Sequence, residues 1–258
     1  LTEVEDIYRP FKPKRKTRAS VAIAKGLQPL ADKIVEQKPF DLEKECELYV
    51  SEEKEVASGA EALQGAKDII AERVSDDANL RKILREIIAK KAQIKATWIE
   101  EKDENKTYEN YKDFSGEVVK MPSHRILALN RGEKEDCLKV TLELNEEISN
   151  KILFDKFIIK NSTLEEMMQE ICLDSYNRLI YPSIEREVRS ELTDKANEQA
   201  IHNFELNLKP LLMEAPLKGK RILGFDPGYR MGCKLAVIDE NGTVLDTAVI
   251  YPTEPFKK

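Results

Sequence analysis

The residue best suited to metal or phosphate chemistry is Asp226, which ends the apolar run ILGFD and precedes Gly228 and Gly232. A carboxylate at the end of a buried strand can be presented to a metal ion, and nearby glycines let the backbone approach a phosphate closely. Alone, this pattern is only moderately specific for either kind of ligand.

A second chemical feature is a run of positive charge near the start of the chain. Residues 9–25 contain seven basic residues and no acidic one, whereas residues 31–80 contain 14 acidic and 6 basic residues. This segregation predicts a partner-facing basic arm, and Lys and Arg are the side chains that bind nucleic-acid phosphates. The equally open alternative is a solvated connector, extended by its prolines, whose charges meet the acidic segment. The candidate nucleic-acid contacts are Lys12, Lys14, Arg15, Lys16 and Arg18.

The segment PSHRILALNRGEKE carries a third set of candidates, His124, Arg125 and Arg131. A guanidinium donates two parallel hydrogen bonds to paired oxygens, so Arg125 and Arg131 could hold phosphates. The alternative is that Arg131 forms a surface ion pair with Glu133 or Glu135, which would contribute little energy.

The potential zinc ligands do not form a motif. The four cysteines are far apart, with no CxxC pair, and the chain has two histidines, His124 and His202. We interpret the cysteines as reduced intracellular thiols and expect no metal site. The net charge of −6 argues against a whole-surface attraction to nucleic acid but leaves room for local basic patches.

The elements that must position these residues are mostly helices. Apolar residues at helical spacing predict one helix from Ala60 to Val74 and, after caps at residues 75–77, a second one from Leu80 to Trp98. The pair could form a helix-turn-helix or part of an antiparallel bundle. The second helix also predicts a further basic surface, formed by Arg81, Lys82, Arg85, Lys90, Lys91 and Lys95.

Further along, the pattern predicts Ser123 as a helix cap, Gly132 as a helix stop and a strand from Leu138 to Leu144. Ser162 and Glu165 predict a capping box that begins a helix, and Pro182 predicts that this helix kinks or restarts there. The apolar stripe from Ser183 to Met213 predicts a helix of about 46 Å that spans between modules. Strands are predicted at 221–226, 233–239 and 243–251, the last two joined by an Asn241-Gly242 hairpin.

The composition agrees with a helical protein that is not embedded in a membrane. Of 258 residues, 41% are hydrophobic and 35% charged, while Gly and Pro number only 10 and 11. No apolar run is long enough to span a bilayer, and the first residues contain no apolar stretch that resembles a signal peptide. The sequence begins with Leu1 instead of Met, which we interpret as a sign that it is a fragment.

Four segments carry a specific resemblance when read in order: YRPFKPKRKTRASVAIAKGLQPLA, PSHRILALNRGEKE, DSYNRLIYPSIEREVRSEL and ILGFDPGYRMGCKLAVID. Together they resemble the bacterial Tex family over essentially the whole chain, whereas the last segment alone would also suit resolvases or actin-like ATPases. The resemblance implies an RNA-binding transcription accessory protein with a helical N-terminal region, a YqgF-like RNase H fold, helix-hairpin-helix elements and an OB-fold.

The expected fold is therefore mainly α, an elongated helical bundle with a long connecting helix followed by a truncated RNase H-like (YqgF) β-sheet. The expected domains are an N-terminal helical region with a possible helix-turn-helix at 1–120, a central helical region at 121–217 and the first three YqgF strands at 218–258.

The expected function is that of a catalytically inactive, nucleic-acid-binding scaffold. RNase H-type cleavage needs several carboxylates to hold two metal ions, and the later ones of such a fold would lie beyond Lys258, so Asp226 is only a vestigial candidate. We expect no enzyme activity and no cofactor, weak RNA or DNA binding and a cytoplasmic location. RNA polymerase or the ribosome are expected partners, and the sheet could self-associate. The alternatives are a resolvase-like nuclease in the intact protein and a pure protein-interaction scaffold.

Overall fold

The structure is a computed structural model that describes residues 2–12, 16–215, 217–228 and 231–252. The chain divides into two compact units, Leu1–Ile201 and His202–Lys258. The mainly helical fold with one long helix is confirmed. Among the described residues, no helix combines the length and hydropathy that a membrane crossing requires.

The first unit is built mostly from helices that alternate with short turns. Short 3-10 turns occupy Arg9–Phe11 and Val118–Lys120. The helices are α1 (Thr2–Tyr8), α2 (Arg18–Ala24), α3 (Gln28–Val35), α4 (Leu42–Glu47), α5 (Gly59–Ser75), α6 (Ala78–Lys91), α7 (Ser123–Lys134), α8 (Glu146–Phe157), α9 (Glu165–Asp174) and α10 (Tyr181–Leu212), which continues into the second unit.

Helices α5 and α6 begin where local cap chemistry predicts. The Asp77 side chain accepts a hydrogen bond from the Leu80 N–H at 2.7 Å and so separates the two helices. The prediction that α6 continues to Trp98 is wrong, because Ala92 has an extended backbone and Gln93–Trp98 forms strand β1. Alternate burial of Ile94 and Ala96 shows the two-residue period of a strand.

Strand β1 is the centre of a three-stranded antiparallel sheet with the order β2-β1-β3. Its neighbours are β2 (Phe114–Glu117), which the sequence pattern missed, and β3 (Leu138–Glu143), which it predicted. The free edge of β3 is covered by α10. Glu185 accepts a hydrogen bond from the Leu142 N–H at 2.9 Å, and the Tyr181 hydroxyl donates one to the Leu142 carbonyl. These contacts satisfy backbone groups that would otherwise remain unpaired at the sheet edge.

Two predicted caps form differently. Pro122 is the N-cap of α7, and the Ser123 hydroxyl instead donates a hydrogen bond to the Gln199 side chain on α10. Helix α9 begins only at Glu165, whose carboxylate accepts a hydrogen bond from the Asn161 N–H instead of that of Ser162. In both cases the serine hydroxyl has a partner that is distant in the chain, since the Ser162 hydroxyl donates a hydrogen bond to the Gln37 carbonyl at 2.9 Å.

Helix α10 extends over 32 residues and agrees closely with the predicted helix. A π-helical stretch at Ser175–Ile180 separates it from α9 and ends two residues before Pro182. Proline has no N–H for the carbonyl four residues earlier, and a π-turn is one way in which a helix accommodates that loss.

The second unit contains the predicted three-stranded sheet. Its strands are β4 (Ile222–Asp226), β5 (Cys233–Ile238) and β6 (Val244–Ile250), antiparallel in the order β4-β5-β6. The β5–β6 turn forms at Asn241-Gly242, where Gly242 has φ +86°. The Asp239 carboxylate accepts hydrogen bonds from the Asn241 and Thr243 N–H groups, both at 2.8 Å. This turn confirms the predicted hairpin.

Candidate nucleic-acid interface

The basic arm, residues 9–25, is held by an ion pair at each of its ends. Arg9 lies 3.4 Å from the Asp76 carboxylate, and Lys25 lies 2.7 Å from that of Glu61. The solvated-connector interpretation therefore describes these two cations well, because they meet the acidic segment. Pro13, Lys14 and Arg15 lie outside the described residues, so their candidate contacts stay predictions.

The cations between these anchors face solvent. Lys12, Lys16 and Arg18 are exposed, and within the described part of the chain none of them forms an ion pair. Thr17 begins α2 with a reciprocal capping box, in which Thr17 and Ser20 each accept a hydrogen bond from the other's N–H. The cap fixes the backbone of the arm next to Lys16 and Arg18, so these charges project from an ordered segment.

A groove of about 460 Å³ adjoins these charges. It lies between α2 and α5, and its lining includes Lys16, Arg18 and Lys25 beside the carboxylates of Glu61 and Asp68. The two helices approach each other closely beside this groove at Gly65. A Cβ atom on Gly65 would lie 2.4 Å from Leu27 Cδ1 and 3.2 Å from Ala22 Cβ.

A buried ion-pair network holds α1, the helix that leads into the arm. Asp6 accepts hydrogen bonds from Arg81 Nε at 2.8 Å and from Arg85 Nη2 at 2.7 Å. On the other side, the same two guanidinium groups donate to Glu187 on α10, at 2.7 and 2.9 Å. Two positive and two negative charges thus balance in a largely buried site and connect α1, α6 and α10.

This network corrects the predicted basic surface on α6. Arg81 is completely buried and Arg85 nearly so, which means that neither is available to a partner. Lys82 is exposed but pairs with Glu3 at 2.6 Å. The sequence contained the signal, because Arg81 and Arg85 fall on the same helical face as the buried Leu84 and Ile88.

The second predicted patch lies on α7. His124, Arg125 and Arg131 are all exposed, and the Arg125 guanidinium lies over the Phe114 ring at 5.5 Å. Among the described residues, Arg131 forms no ion pair with Glu133 or Glu135, so that alternative receives no support. Glu133 pairs with Arg189, and Glu135 accepts a hydrogen bond from the Tyr108 hydroxyl at 2.8 Å.

Asp226 ends β4 on the exposed sheet, directly opposite Lys234 on β5. Beyond it, Gly228 and Gly232 lie close together: Gly232 has φ +77°, and a Cβ on Gly228 would lie 2.6 Å from the Gly232 carbonyl oxygen. Within the described ranges, no group of three or more His, Cys, Asp or Glu side chains is arranged to hold a metal ion. The four cysteines are buried and free of disulfides.

The chain is similar to several curated proteins over nearly its whole length. It is 51% identical to uncharacterized protein YdcI of Bacillus subtilis, over 100% of this chain and 36% of the relative. It is 36% identical to transcriptional accessory protein Tex of Neisseria gonorrhoeae, over 97% of this chain and 34% of the relative. A human protein named S1 RNA-binding domain-containing protein 1 is 30% identical, over 96% of this chain and 26% of the relative.

These relatives are much longer, and the chain spans about a third of their length or less. Two family models match separate parts of the chain. Residues 220–258 match the model described as the Tex protein YqgF-like domain, and residues 37–204 match the one described as Tex central region-like. Since the second match alone covers more than half of the sequence, the chain belongs to the Tex family.

Proposed function

We propose that this chain contributes a nucleic-acid-binding scaffold to a transcription accessory protein of the Tex type. The observation that carries the proposal is the set of exposed cations, Lys12, Lys16 and Arg18, on an arm anchored at both ends. The name of one relative, S1 RNA-binding domain-containing protein 1, supports RNA as the partner, and that of another, transcriptional accessory protein Tex, supports a role in transcription.

In this proposal the arm binds phosphates by charge and does not read the sequence. Lys14 and Arg15 belong to the same run and would add to it, while Arg125 and Arg131 would form a second contact on α7. Because the net charge is −6, binding depends on these local patches and is weak, about 10⁻⁴ to 10⁻⁶ M at physiological salt.

A salt titration of RNA binding tests this proposal. Replacing Lys12, Lys16 and Arg18 with Ala should reduce the slope of log K against log salt by about 2, because each lost contact with a single strand removes about 0.7. Lys38, Lys44 and Lys90 are exposed lysines outside the arm, and their triple Ala variant is the matched control. An unchanged slope in the arm variant would contradict the proposal.

We also propose that this chain does not cleave nucleic acid. Asp226 stands opposite a lysine on an exposed strand, which supports a vestigial carboxylate better than one that holds a metal ion. The alternative, a resolvase-like nuclease, requires Mg²⁺-dependent cleavage that Asp226→Asn abolishes. Cleavage that survives Asp226→Asn would point to a contaminating nuclease, and Asp226→Ala should leave RNA affinity unchanged.

Contacts with RNA polymerase or the ribosome and a cytoplasmic location complete the proposal. The four free, buried cysteines support a reducing compartment. The helix-turn-helix interpretation of α5 and α6 receives less support, because Arg81 and Arg85 on the second helix are used inside the fold. A pull-down with purified core RNA polymerase would test the polymerase contact. If the polymerase is not retained, a scaffold that acts through RNA alone is favoured.

A further inference from the structure

Helix α1 has its polar side inward and its apolar side in solvent. The exposed stripe consists of Val4, Ile7, Tyr8 and Phe11, and the Tyr8 and Phe11 side chains are 53% and 76% exposed. An ordinary surface helix shows the opposite arrangement, in which the apolar stripe packs against the core. The exposed stripe on α1 therefore requires a specific explanation.

The ion-pair network fixes this orientation. Asp6 on α1 is buried between Arg81 and Arg85 on α6. Glu3, also on α1, pairs with Lys82 on α6. At 100° per residue, positions two before and two after Asp6 point away from the body of the unit. Val4 and Tyr8 occupy these two positions, and Phe11 follows in the 3-10 turn Arg9–Phe11.

The exposed rings directly precede, in sequence, three cations that form no ion pair within the described part of the chain. Phe11 is followed by the exposed Lys12, and Lys16 and Arg18 come next in the described chain. The combination of aromatic faces with a track of positive charge is the arrangement that single-stranded nucleic acids bind, with bases on the rings and phosphates on the cations.

We infer that Tyr8 and Phe11 form a stacking platform for the bases of single-stranded RNA, whose phosphates contact Lys12, Lys16 and Arg18. This inference rests on the proposed function and adds a preference for single strands over duplexes. The bases of a duplex are already stacked on one another, so their faces are not available to the rings. Charge complementarity decides against an apolar protein partner, because the exposed cations Lys12, Lys16 and Arg18 would then lie at the interface without phosphates.

The platform makes a prediction that charge alone does not make. Stacking involves no counterion release, so loss of a ring should weaken binding without changing the salt slope. Each lost ring should lower the affinity for single-stranded RNA about tenfold. Duplex affinity should remain unchanged.

The experiment uses the 258-residue chain and a fluorescein-labelled 12-nucleotide RNA of mixed sequence, either single-stranded or annealed to its complement. Fluorescence anisotropy over a range of salt compares the native chain with Tyr8→Leu, Phe11→Leu and the double variant. Leucine keeps an apolar side chain but has no aromatic face. Ile7→Ala, in the same stripe, is the matched control, and circular dichroism verifies that each variant is folded.

The expected result is a large loss of single-strand affinity in the double variant, at an unchanged salt slope, with Ile7→Ala equal to the native chain. Full affinity in the double variant, together with a reduced slope in the variant lacking Lys12, Lys16 and Arg18, would overturn the stacking platform and leave the proposed function intact. An equal loss in Ile7→Ala would also overturn it, because the effect would then not belong to the rings. Absence of any RNA binding at low salt would overturn both.

Discussion

Asp6 on α1 and Arg81 on α6 form a buried ion pair at 2.8 Å, although they are 75 positions apart in the chain. Removing Asp6 would leave the completely buried Arg81 with fewer partners for its charge. We therefore expect Asp6→Ala to lower the free energy of unfolding by about 3 kcal/mol, which is typical when one partner of a buried pair is lost. Chemical denaturation measures this change.

Glu3→Ala is the control for this experiment, because the Glu3–Lys82 pair lies at the surface of the same two helices. It should leave the denaturation midpoint unchanged, since exposed pairs are screened by solvent. Equal effects of the two substitutions would show that the buried network does not hold α1 in place.

Gly65 allows α2 and α5 to approach each other beneath the basic arm. A methyl group at this position would meet Leu27 Cδ1 and Ala22 Cβ, both in a well-packed core. Gly65→Ala should therefore destabilise the chain by about 1 to 3 kcal/mol, despite a gain of roughly 1 kcal/mol in helix propensity. Thermal denaturation of Gly65→Ala, Leu27→Ala and the double variant forms a double-mutant cycle. If steric contact with Leu27 is the cause, the double variant will be more stable than the sum of the single effects implies.

The hairpin turn of the second unit depends on the ionised side chain of Asp239. Hydrogen bonds from the Thr243 and Asn241 N–H groups lower the pKa of this carboxyl below its usual range. Because the folded-state pKa is depressed, the stabilisation is present above the unfolded value of about 3.9 and is lost as pH falls through the folded value. An NMR titration of Asp239 should show the lowered pKa, and Asp239→Ala should remove this part of the acid sensitivity of the hairpin. A titration at the ordinary Asp value would contradict the hydrogen-bonded turn.

The sheet of the second unit exposes apolar side chains that could pair two copies of the chain. Leu223 and Phe225 on β4 are 61% and 55% exposed and share one face of the sheet. Light scattering should show a mass that rises with concentration, and Leu223→Glu with Phe225→Glu should abolish the rise. Thr247→Glu on β6 is the control on the opposite face. A constant monomer mass for the native chain at high concentration would refute this association.

Local sequence alone determined several of the elements. The apolar spacing within residues 183–213 predicted α10 almost to its ends, and Asn241-Gly242 predicted the hairpin between β5 and β6. These features depend on interactions among residues close in the chain, namely the periodic burial of side chains and the positive φ that glycine permits. The resemblance to the Tex family depended on such local segments as well, and the family match confirms it.

Only the tertiary structure decided which charges are available to a partner. Arg81 and Lys16 are both cations in basic stretches of the sequence, yet Arg81 is buried against Asp6 while Lys16 faces solvent. The tertiary structure likewise determined that α6 ends at Lys91 and that the chain continues as β1. The partners of that strand lie near residues 115 and 140. Long-range pairing and burial depend on groups that come together only when the chain folds, and a local pattern contains no information about which distant partner will arrive.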